Sequence, residues 1–94
     1  MKESRLYVDF NEMLEENLVM LSQNDIKYDS EGNEIKLFNG LEIKIYMEDY
    51  NKFDERDDLY AEGVVERNNY EFCKIVKWNC RINDKGIYNE SDLI

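Results

Sequence analysis

Apolar and polar residues alternate with period two through most of the chain, which predicts β-strands in place of helices. Leu6, Val8 and Phe10 share one face of residues 5–10, with Tyr7 and Asp9 on the other. The pattern is clearest at residues 41–48. There Leu41, Ile43, Ile45 and Met47 point one way, and Glu42, Lys44, Tyr46 and Glu48 the other. Alternation of this kind predicts a half-buried antiparallel strand. In residues 59–66, Leu59, Ala61, Gly63 and Val65 oppose Tyr60, Glu62, Val64 and Glu66. The small residues Ala61 and Gly63 suit a strand that coils sharply. Phe72, Val76, Trp78, Cys80 and Ile82 share a further face, while Lys77, Asn79 and Arg81 are expected to meet water. Residues 18–21 form an unbroken apolar run, short enough for a strand buried on both sides.

The connections carry turn chemistry. Residues 29–33 (Asp-Ser-Glu-Gly-Asn) predict a turn around Gly32, and Asn39-Gly40 is the strongest hairpin signal in the chain. Residues 67–69 and 83–86 read as further turns, and residues 87–94 as a short last strand or a 3₁₀ turn. Residues 11–17 read as a single helical turn or a wide connection. Residues 48–58 read as a solvated excursion, too long for a tight hairpin loop. With 94 residues and no visible repeat or linker, the expectation is one all-β domain. Its architecture is a small barrel or roll of about five to seven short antiparallel strands, with at most one or two helical turns.

From residue 39 onward the chain resembles the SH3-like and Tudor-like small barrels. The resemblance is carried by the Gly40-Leu41 entry, the strand of alternating isoleucines ending in acids, the irregular loop, and Ala61-x-Gly63-x-Val65. The strand holding Val76 and Trp78 and the tail Gly86-Ile87…Ser91-Asp92-Leu93 complete it. An OB-like barrel would present similarly. The resemblance implies a barrel core over residues 39–94, with residues 1–38 as extension strands packed on it. It implies little about function, since such barrels host many roles. Tudor-type barrels hold methylated side chains in an aromatic cage. Here Tyr46, Tyr60 and Tyr50 would be the outward-facing candidates, with Trp78 in the core beside Val76 and Ile82.

Charge narrows the function. The chain has 22 acidic and 12 basic residues, a net charge of −10, and no histidine or proline. Without imidazole there is no Ser-His-Asp or Cys-His nucleophile activation and no His-ligated zinc. A molecule this acidic repels a phosphate backbone, so no direct nucleic-acid contact is expected, and Lys74, Lys77 and Arg81 are the nearest approach to a basic patch. The longest apolar stretch is far too short to span a membrane, and the first residues lack a signal peptide's apolar run. We therefore expect no membrane partner and a cytoplasmic location. Cys73 and Cys80 stand an odd seven residues apart on one apparent strand, which points them to opposite faces as free thiols.

Residues 48–58 concentrate six acids, Glu48, Asp49, Asp54, Glu55, Asp57 and Asp58, against Lys52 and Arg56. Oxygen ligands at this density suit calcium. The spacing nevertheless fails the EF-hand pattern, because Phe53 follows the second ligand-like residue and no glycine supplies the turn. No metal or other cofactor is expected. No pair of acids is marked out for acid–base catalysis and no glycine-rich phosphate loop exists, so no enzyme activity is expected. The leading expectation is a non-catalytic protein-interaction module. Tyr7, Tyr46, Tyr60 and Val64 form its candidate contact surface, facing either another protein or a second copy of the chain. The alternative is an inhibitor working by charge, either a toxin immunity protein or a nucleic-acid mimic, which presents its acids to a basic partner.

Overall fold

The computed structural model describes residues 4–70 and 75–93; Phe72, Cys73 and Lys74 lie outside the described residues. The fold is all-β. Its strands are β1 (Leu6–Tyr7), β2 (Met13–Glu15), β3 (Leu18–Ser22), β4 (Ile26–Tyr28), β5 (Glu34–Lys36), β6 (Glu42–Met47), β7 (Leu59–Arg67), β8 (Trp78–Ile82) and β9 (Tyr88–Asn89), closed by a 3₁₀ turn at Glu90–Leu93. Seven strands form one curled sheet in the order β1-β6-β7-β8-β3-β2, with β9 also on β7, while β4 and β5 pair as a separate hairpin. Long β7 serves two neighbours: β8 pairs with Gly63–Arg67 and β9 with Leu59–Tyr60.

Three local expectations are corrected. β1 runs parallel to β6, an orientation that the long connection through β2–β5 allows. Asn39-Gly40 turns the chain but does not join paired strands. β5 pairs back onto β4 through the 29–33 turn, where Gly32 takes φ 84°, and the Gly40 N–H instead donates to Val65 O at 2.7 Å. A local turn signal specifies a reversal, not the partner of the strand that follows. Residues 13–15 are a strand and not a helical turn, because Met13 pairs with Val19 and packs against the core.

The core lies on the concave face, where the alternation becomes rows across strands. Leu6 stands beside Ile45 and Ile45 beside Ala61; Val19 stands beside Cys80 and Cys80 beside Val65. Leu6, Val8, Phe10, Val19, Leu21 and Leu37 join the same cluster as Ile43, Ile45, Val65, Trp78 and Ile82. Residues 4–38 thus contribute strands and side chains to the sheet and core that residues 39–93 build. Gly63 permits the curl. A Cβ there would meet the Arg81 carbonyl oxygen at 2.0 Å, so β7 and β8 approach more closely than any side chain allows.

Candidate interaction surface

The convex face is built from the polar half of the same alternation, and its register places aromatics in a row. Tyr7 pairs with Tyr46, Tyr46 with Tyr60, and Tyr60 with Tyr88 across β1, β6, β7 and β9. Tyr7 and Tyr46 meet edge-to-face with centroids 5.7 Å apart, and Tyr60 and Tyr88 do so at 6.1 Å. Arg5 crosses this row. Its guanidinium lies 3.8 Å from the Tyr60 ring centroid and 3.2 Å from Glu62 Oε2, and donates to the Ile45 carbonyl at 3.3 Å. The Tyr88 hydroxyl donates to Glu62, and the Tyr60 hydroxyl to Glu90 Oε2 at 3.1 Å.

This cluster corrects one candidate. Tyr60 is only 4% exposed and its ring face is already covered by Arg5, so it leaves the contact surface and cannot wall an aromatic cage. Alternation marked the face correctly but did not reveal that β1 and β9 would cover it. Burial, then the neighbouring Glu90 carboxylate, raises the Tyr60 pKa; burial, then Glu62, does the same for Tyr88. Burial lowers the Arg5 pKa, but the bonds to Tyr88 and Glu62 outweigh it and the net direction is upward. Tyr7 remains exposed, Tyr46 and Val64 are half-buried, and Val64 stands apart from the row.

The acidic segment is ordered. After β6 the chain runs out and back as a hairpin closed by the Tyr50↔Arg56 bridge. Asn51 organises the tip: its Oδ1 accepts the N–H groups of Phe53 (2.8 Å) and Glu55 (3.1 Å), and Asp54 takes φ 60°. The acids divide into two groups. Asp58 is buried, at 4% exposure, which corrects its place on the acidic surface; Arg56 Nε donates to it at 2.8 Å, and Arg56 also lies 3.5 Å from Glu48. The Asp58 carboxylate, more than Glu48, drives the Arg56 pKa further up. Asp57 accepts both the N–H and the hydroxyl of Ser91 at 2.9 Å, which docks the 3₁₀ turn onto the hairpin base. Asp49, Asp54 and Glu55 have no basic partner among the described residues. Between them Phe53 is 70% exposed and Tyr50 58%. Tyr50 is exposed as expected of an outward-facing candidate, whereas Phe53 is a surface residue that the alternation argument missed, and a large aromatic inside a polar loop was its available signal.

The other candidate chemistries meet occupied groups. Arg81 forks onto Glu66 at 3.0 and 3.1 Å and reaches Glu15 and Asn17 at 2.9 Å; Lys77 pairs with Asp25 at 2.7 Å. The described cations of the suspected basic patch are therefore neutralised. Glu15 is held below the ordinary carboxylate range by the Tyr70 hydroxyl and then Arg81, and Asp25 by Lys77 and then the Trp78 indole. Cys80 is a free, fully buried thiol whose pKa burial pushes up to about 12. Among the described residues no group of His, Cys, Asp and Glu side chains is arranged to hold a metal, and no helix is long and apolar enough to cross a membrane. Comparison with protein-family models, with curated proteins and with solved structures finds no match to this chain.

Proposed function

We propose that this chain is a non-catalytic protein-interaction module of the cytoplasm, and that the 48–58 hairpin grips a partner with a basic surface. One observation carries the reading. Phe53 and Tyr50 are held out into solvent on a tip fixed by its own hydrogen bonds, with Asp49, Asp54 and Glu55 around them. Aromatic anchors inside a polar rim are the usual composition of a binding hot spot, and a pre-ordered loop lowers the entropy cost of docking. A non-catalytic role is supported by the thiol at Cys80, which is too buried and too weakly acidic to act as a nucleophile. A net charge of −10 disfavours a second copy as the partner.

The test compares partner affinity for the native chain with that for Phe53→Ser and Tyr50→Ser. Affinity should fall by about 30-fold or more per variant, as removal of a hot-spot anchor does, with the melting temperature unchanged. Equal affinity would overturn the proposal. The three unpaired acids support a second reading, a charge-based inhibitor in the manner of an immunity protein or nucleic-acid mimic. That reading requires an association rate that collapses as salt rises; a rate indifferent to salt would remove it.

A further inference from the structure

At the opposite end of β6 from the hairpin, the sheet edge opens into a groove. β1 runs beside β6 at Leu6↔Ile45 and Tyr7↔Tyr46, and the backbone of Arg5, at the start of this pairing, is bonded on the far side of β1. The Arg5 N–H donates to Ser30 Oγ at 3.0 Å, and the Arg5 carbonyl accepts the Ser30 N–H at 2.8 Å. A cleft of about 620 Å³ opens beside the start of β6 and extends across β7 to Asn83, with Leu6, Ile35, Leu41 and Ile43 giving apolar walls and Asp29 and Glu42 among its charged lining. That volume lies within the range of ligand-binding clefts. The backbone also faces it. Leu41 O accepts from Val65 N–H on the β7 side, and Tyr46 O accepts from Val8 N–H on the β1 side. Backbone groups of alternate residues point the same way along a strand, so the N–H and C=O of Glu42 point away from β7, into the groove.

We propose that this groove docks an extended segment of another polypeptide, alternating basic and apolar residues, which adds a short strand to β6 beside Glu42. Main-chain bonds to Glu42 would supply affinity, and an apolar side chain seated between Ile35 and Leu41 would fix register. The groove's charge selects the other face of the segment. Among the lining side chains Asp29, Glu42 and Glu62 outnumber Arg5 and Lys44, on a chain of net charge −10. Lysine or arginine at the alternate positions is complementary. The inference uses a different surface from the hairpin, and either can fail alone.

The test titrates the isotope-labelled chain with a seven-residue peptide of alternating lysine and valine. A control peptide has the same composition, with its lysines and valines grouped into blocks. The alternating peptide should shift the amides of residues 4–6 and 41–44 saturably and slow Glu42 amide exchange at least about tenfold, as burial in a strand pair does. The blocked peptide should do neither. Glu42→Pro removes the edge donor while leaving the ladder to β7, and should weaken binding at least about tenfold with Ile43 and Ile45 protection retained. Phe53→Ser should leave this binding unchanged. Equal response to both peptides, shifts confined to residues 48–58, or no change in Glu42 exchange would each overturn the proposal, and the exchange measurement on the native chain does so without any variant.

Discussion

At the scale of single residues, Gly63 carries a steric requirement that is easily tested. Its absent Cβ lies where the Arg81 carbonyl oxygen stands, a backbone atom that cannot swing aside. Gly63→Ala should therefore destabilise the fold by about 1–3 kcal/mol in urea denaturation, although alanine is ordinarily harmless in a strand. Cys80 makes a pH prediction. Burial raises its pKa from 9.0 to about 12 in the folded chain. A raised folded pKa contributes stability that is complete below the unfolded value and is lost as pH rises towards the folded one. Between those limits the native chain should lose up to about 1.4 kcal/mol per pH unit through this group, and Cys80→Ala should lose stability less steeply over the same window. The residue pattern made Ile45, Val65, Cys80 and Trp78 legible as core, because in a curled sheet the inward half of each strand has nowhere else to go. It misplaced Tyr60 because burial on the convex face depends on Arg5 and Tyr88, which arrive from the two ends of the chain.

At the scale of elements, the alternation of β6 and β7 fixed their faces, while their partners came from long-range pairing that no local signal encodes. Asn39-Gly40 illustrates the difference: the chain turns there as expected, yet the strands on either side belong to different sheets. The 48–58 hairpin illustrates the reverse. Its acid content suggested a loose loop, and its order rests on Asn51, whose carboxamide oxygen holds two backbone N–H groups. Asn51→Ala should leave global stability nearly unchanged, because the sheet does not depend on the tip. It should raise amide exchange at Phe53 and Glu55 and weaken partner binding, since the aromatics would then have to be ordered on docking. Unaltered exchange at those two amides would show that the tip is held by something else.

At the scale of the whole molecule, the core fills the concave face and Arg5 covers the buried part of the tyrosine row, and the two surfaces proposed for binding lie at opposite ends of β6. Net charge was legible from composition, but its distribution was not. Arg56 and Ser91 engage half of the hairpin's six acids; Asp49, Asp54 and Glu55 remain on the same hairpin as Phe53, whose ring has the Lys52 ammonium 5.3 Å from its centroid. The claim that this tip is where the protein meets its partner can be tested directly in the cells that make it. A photoreactive benzoylphenylalanine placed at position 53 is compared with the same group at exposed Glu16, in the turn between β2 and β3 at the other edge of the sheet. Position 53 should give a discrete covalent adduct to one basic protein, and position 16 none. Matching adduct patterns from the two positions, or an adduct at 16 alone, would show that the tip is not where the partner binds.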